Sequence, residues 1–111
     1  MTPKFALLPQ WRIWWRDTGG AIIGIHNHPK SSAPNVPDFN AAYARGYKYG
    51  VVVGHNGVIF KYSVKNSISE EQAVLVIYTL ARLDDAVYNN KSVDQALIDL
   101  AQFGIDLSVI K

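Results

Sequence analysis

The 111-residue chain contains no cysteine. Disulfides are excluded, and with them every site built on thiolates: zinc fingers, iron–sulfur clusters and cysteine nucleophiles. Histidine, aspartate and glutamate remain as the strong metal ligands. Acids are scarce and unevenly placed. Glu70 and Glu71 are the only glutamates, and the first 69 residues hold just two acids, Asp17 and Asp38. Charge of either sign is low, with 11 basic against 9 acidic side chains and a net charge of +2. The basic residues are scattered from Lys4 to Lys111, so bulk charge gives no support to a nucleic-acid partner. No apolar run approaches the ~20 residues that span a bilayer, and the opening residues lack the features of a secretory signal. The expectation is a soluble, non-secreted product. What the chain does have is 49% hydrophobic residues, enough for one compact domain over residues 1–111.

Local patterns give the elements. Leu8 to Asp17, LPQWRIWWRD, reads as a short amphipathic helix, with Pro9 in its first turn and Gly19-Gly20 ending it. Ala21–Ile25 is a β-branched run bounded by glycines and reads as a buried strand. Pro29, Pro34 and Pro37, with Ser31 and Ser32, mark a turn-rich loop. Asn35 caps a helix that runs to Ala44 or Arg45, with proline and Asp38 suited to its first turn and Gly46 and Gly50 as its breakers. Phe39, Tyr43 and Tyr47, at i, i+4 and i+8, read as the packed face of that helix. Val51 to Tyr62 reads as two strands around Asn56-Gly57, a strong hairpin signal. Ser67 with Glu70 forms a capping box for a helix through about Val87, and Ser92 with Gln95 opens another, ended by Gly104. Ile105–Ile110 is either a last strand or a docked tail. The sum is an α/β domain: a small central sheet of Ala21–Ile25, Val51–Gly54 and Val58–Tyr62, flanked by helices, with a helical C-terminal segment.

Chemistry concentrates after the first of these strands. Residues two apart in a strand share a face, so His26 and His28 can aim two imidazoles at one point. Asp38 at the start of the following helix can be folded back to add an oxygen. Two nitrogens, a carboxylate and a water make a catalytic-type zinc shell. Histidines bonded to loop carbonyls, and an Asn35–Asp38 pair serving only as a helix cap, are the plainer account of the same residues.

The order His26-x-His28-Pro29, a Pro/Ser loop, then Asn35-x-x-Asp38 resembles the signature of the JAMM metallopeptidases, also called MPN or JAB domains: His-x-His-Pro followed by Ser-x-x-Asp. The stretch IIGIHNHPKSSAPNVPDF and the hairpin VVVGHNGVIFKYS resemble the JAMM-like segments at the C-terminal ends of phage minor head (head morphogenesis) proteins. The likeness covers residues 20 to 63 well and the rest more loosely. It implies zinc held by His26, His28 and Asp38, hydrolysis of a peptide or isopeptide bond by metal-bound water, and a location in the host cytoplasm or the virion. It also implies a protein or peptide substrate, or phage structural proteins as partners.

This sequence departs from the family at two positions of chemical weight. Asn35 stands where the family has a serine that helps hold the tetrahedral intermediate; its amide can still donate to an oxyanion. The family's general base is a glutamate on an earlier element, and no glutamate precedes Glu70. The resemblance therefore implies a domain lacking its upstream part and catalytically incomplete. Asp17 is the remaining upstream acid and the weak candidate to replace the base. Glu70 and Glu71 are accounted for by capping and the helix dipole, and His55 by the hairpin turn. Trp11, Trp14 and Trp15, with Arg12 and Arg16, read as core or as a protein interface, including self-association, in preference to a nucleic-acid or membrane surface. A non-catalytic head-morphogenesis module acting through protein contacts is the alternative function.

Overall fold

The computed structural model describes residues 11–29, 32–54 and 56–111. Among these are five strands and three helices: β1 (Arg12–Arg16), β2 (Ile22–His28), α1 (Val36–Ala44), β3 (Tyr47–Gly54), β4 (Ile59–Val64), α2 (Glu70–Tyr88), α3 (Asp94–Ala101) and β5 (Ile105–Ile110). The strands form one sheet in the order β1-β2-β3-β4-β5. β2 and β3 are parallel, joined by α1 as a crossover helix; the other neighbours pair antiparallel. The expected α/β class and its three central strands are present, and Ile105–Ile110 is a strand.

The core lies on one face of the sheet. Val52, Phe60, Tyr62, Ile105 and Leu107 are buried there against Phe39 and Ala42 of α1, Val76, Leu80 and Leu83 of α2, and Leu100 of α3. Gly24 and Gly50 are register partners on this face. A Cβ at Gly50 would stand 2.3 Å from the Tyr62 ring, and one at Gly24 2.3 Å from the Tyr47 ring. Both glycines thus admit an aromatic ring flat against the strand. Gly50, expected as a helix breaker, is instead a core position of β3.

In place of the helix expected over Leu8–Asp17 the chain forms the strand Arg12–Arg16, with Trp11 and Asp17 flanking it and Leu8, Pro9 and Gln10 outside the described residues. Tertiary pairing with β2 overrides the weak helical pattern: Ile13 sits opposite Ile25 and Trp15 opposite Ile23 on one face, Arg12 opposite His26 and Trp14 opposite Gly24 on the other. The β-branched and aromatic residues that looked like a helix stripe suit a pleated edge strand equally well.

Two caps also differ from expectation. The α2 cap is Ser69, whose hydroxyl accepts from the Gln72 N–H at 3.2 Å while the Gln72 side chain accepts from the Ser69 N–H at 3.2 Å. Ser67 is displaced because Ile68 is buried and its backbone is gripped by Asn40, which accepts from the Ile68 N–H at 2.7 Å. At α3 the cap position is Val93, and Gln95 bonds to Asp99 in place of Ser92. Tyr47, expected on the α1 face, begins β3. Its hydroxyl receives hydrogen bonds from the Trp14 indole and from Arg45.

Candidate metal centre

The carboxyl ends of the two parallel strands and the start of the crossover helix meet at one corner of the covered face. β2 delivers His26 and His28 there, both buried, from alternate positions of its last three residues. The loop then reverses, and Asn35 stops it by capping α1. The Asn35 side chain accepts from the Asp38 N–H at 3.0 Å, and the Asp38 carboxylate accepts from the Asn35 N–H at 3.0 Å. This reciprocal capping box fixes Asp38 at the positive end of the helix and turns its carboxylate towards β2.

Two imidazole nitrogens and the two oxygens of one carboxylate converge as a result. His26 Nε2 and His28 Nε2 are 3.1 Å apart; His26 Nε2 lies 3.2 Å from Asp38 Oδ1, and His28 Nε2 lies 3.3 Å from Asp38 Oδ2. A tetrahedral zinc ion with bonds of about 2.0–2.1 Å has ligand atoms roughly 3.3 Å apart; the two imidazole nitrogens stand near that spacing, and each faces its own oxygen of the Asp38 carboxylate. His28 Nδ1 is 3.0 Å from the carbonyl oxygen of Ser32 and 3.2 Å from its hydroxyl oxygen. The carbonyl can only accept, so the shorter contact calls for an N–H at Nδ1, to which the hydroxyl can also act as acceptor. In the neutral ring Nε2 is then a bare lone pair aimed at a carboxylate and a second imidazole, an arrangement that a cation at the centre satisfies.

Electrostatics are those of a paired, half-desolvated cluster. Burial alone would raise the Asp38 pKa, but hydrogen bonds from the His26 and His28 rings when these carry the proton at Nε2, and from the Asn35 backbone, outweigh it and hold the carboxyl well below the usual carboxylate range. Burial likewise favours neutral His28, yet Asp38 and the Ser32 and Ala33 backbone together raise its pKa above the ordinary histidine value.

The cluster opens into a cleft of about 450 Å³ lined by Trp11, Arg12, Asn27, Asn35 and Pro37 as well as the three candidate ligands. Asn35 uses its side-chain oxygen for the cap, so the amide nitrogen is the donor it can offer to the cleft. No second carboxylate lines the cleft among the described residues. Asp17 is not brought to it. That residue sits in the β1–β2 turn, beyond the Arg16–Ile22 pair and hence at least four strand residues, about 13 Å, from His26. Its carboxylate accepts from the Gly19 and Ala21 N–H groups and pairs with Lys48 at 3.2 Å. The Ala21 bond and Lys48 hold its pKa below the ordinary value, the opposite of what a general base needs. Glu70 and Glu71 lie in the first turn of α2, at the positive end of its dipole, while the capping contact expected of Glu70 is made by Gln72; His55 lies outside the described residues.

Sequence reasoning missed Arg12 and Trp11 as cleft-lining residues because it placed them on a helix. Period-two alternation of Arg12, Trp14 and Arg16 against Ile13 and Trp15 was the available signal. A second cleft, of about 510 Å³, lies further along β1 between Trp14, Trp15, Arg16, Ile22, Arg45 and Tyr47. There the Arg45 guanidinium stands 5.6 Å from the centre of the Trp14 ring. No helix among the described residues is long and apolar enough to cross a membrane. Comparisons with protein-family models, with curated proteins and with solved structures find no match to this chain.

Proposed function

We propose that the chain carries a zinc site of the JAMM/MPN kind, with His26, His28 and Asp38 as ligands, in a metallopeptidase-type domain acting on peptide or isopeptide bonds. The observation that carries this reading is the convergence of two imidazole Nε2 atoms, 3.1 Å apart, on the two oxygens of the Asp38 carboxylate at 3.2 and 3.3 Å. Zinc held there supplies Lewis acidity and brings the pKa of water down to about 7. The protein's own groups do the rest. Asn35 donates to the oxygen that gains charge as the carbonyl is attacked, and Arg12 and Trp11 line the cleft with a cation and an aromatic ring.

A general base is absent from the described residues of the cleft, and a positioned base contributes ~10²–10⁴ in rate. This favours a second reading: a non-catalytic phage head-morphogenesis module that keeps the metal for structure and works through protein contacts. The exposed apolar residues of β1, Ile13, Trp14 and Trp15, support it. Incubating the zinc-loaded chain with peptide and isopeptide-linked substrates separates the two. Cleavage that disappears in Asp38→Asn is the result expected of a hydrolase; stoichiometric zinc without cleavage supports the module. Failure of the chain to take up zinc refutes both versions of the metal reading.

A further inference from the structure

The proposed site draws on β2 and α1, but one of its ligands is also held from α2. We infer that Asp84 is a positioning residue for His28, acting through the peptide unit that joins Ser32 to Ala33; this deepens the zinc reading and rests on it.

The geometry is continuous. Asp84 Oδ1 accepts from the Ala33 N–H at 2.8 Å, a contact spanning 51 residues of sequence. The carbonyl on the other side of that same peptide bond, Ser32 C=O, lies 3.0 Å from His28 Nδ1. A peptide unit is planar, so fixing the direction of its N–H fixes the direction of its C=O. Asp84 therefore sets where the nearer of the two Ser32 acceptors for His28 Nδ1–H stands, the carbonyl at 3.0 Å, with the hydroxyl at 3.2 Å beside it. That in turn holds the ring in the tautomer whose Nε2 faces His26 and Asp38. Metal-bound histidines commonly give their other N–H to a carboxylate or a carbonyl, which fixes ring orientation and raises ligand basicity. Here both are used in series, carboxylate to amide to carbonyl to imidazole. Hydrogen bonds in such a chain polarise one another, so the negative charge on Asp84 makes the Ser32 oxygen a better acceptor.

A bland alternative is that Asp84 only staples the Pro-rich loop to the helix. The two accounts differ in what a neutral acceptor can restore. Asp84→Asn keeps an oxygen that can accept from Ala33 N–H; Asp84→Leu removes it at similar volume. Leu83→Ala, next in sequence and buried in the core, perturbs the fold without touching the chain of bonds. Zinc affinity is measured for all three by competition with a chromophoric chelator, and the His28 ring tautomer by ¹⁵N NMR of the metal-free protein at pH 8. We expect Asp84→Leu to weaken zinc by about 10- to 100-fold, as loss of an outer hydrogen-bond partner does elsewhere. Asp84→Asn should restore most of that loss, and Leu83→Ala should leave affinity within about threefold of the parent. The Nδ1–H form should dominate in the parent and give way to a mixture in Asp84→Leu. Unchanged affinity and tautomer in a folded Asp84→Leu protein would overturn the inference, as would equal losses in Asp84→Leu and Leu83→Ala. The tautomer reading needs no metal, so a parent that binds no zinc refutes the metal site while this inference is still decided.

Discussion

At the scale of single residues, the site is a set of mutual obligations. Asp38 serves both imidazoles and the α1 cap with one carboxylate, so Asp38→Asn removes a ligand and a charge while keeping a side chain of the same shape. We expect that variant to fold and to lose zinc at micromolar metal, read by metal analysis after desalting. The two shifted groups give opposite pH signs. Asp38 is depressed, so its contribution to stability is present above the unfolded carboxylate value near 4 and is lost as pH falls below it. His28 is raised, so its contribution is full below about 6.5 and is lost as pH climbs through its higher folded value. Zinc competes with that proton and must bind more tightly over the same rise. Melting curves at pH 6.5 and 8.5 therefore cross: the metal-free protein melts lower at pH 8.5, and the stabilisation gained from zinc is larger there. The proximity of His26 and His28 was legible in the sequence because period-two spacing in a strand is a rigid rule. Asp84 was not, since nothing local ties it to Ala33, 51 positions away.

At the scale of elements, the reading succeeded where a signal was local and strong, and failed where two structures share one pattern. Asn35 and Asp38 marked the start of α1 correctly because the capping box is made within four residues. The Asn56-Gly57 turn lies between β3 and β4 as expected. The Trp-rich segment became a strand because its partner, β2, is outside any local window. The frames Ser67–Glu70 and Ser69–Gln72 fit a cap equally well on sequence, and burial of Ile68 decided between them. That choice is testable. Ser69→Ala should cost about 1 kcal/mol in urea melts, and Ser67→Ala no more than a few tenths. Gly50→Ala drives a methyl into the Tyr62 ring, and we expect a loss of about 1–3 kcal/mol from overpacking. An Ala variant as stable as the parent would mean that the ring does not lie on the strand.

At the scale of the whole molecule, the layout explains why the site is where it is. Helices cover one face of the sheet, and the crossover helix between the parallel strands creates the corner that His26, His28 and Asp38 share. The opposite face carries Ile23, Ile25, Val51, Val53 and Ile59 half-buried, with Ile13, Trp15 and Ile110 exposed. These residues are remote from the core cluster, so Trp15→Ser should change stability by less than about 0.5 kcal/mol in the same urea melts. The strand spacing of His26 and His28 and the helix-start position of Asp38 pointed to this corner; the mixed α/β sheet around it is what brings the three side chains together. The most direct test of the account is X-ray absorption of the zinc-reconstituted chain. One zinc per chain is predicted, coordinated by two imidazole nitrogens and oxygen at about 2.0–2.1 Å, with the imidazole scattering lost in His26→Ala/His28→Ala. A parent that retains no zinc, or a zinc spectrum identical in the double variant, would contradict it.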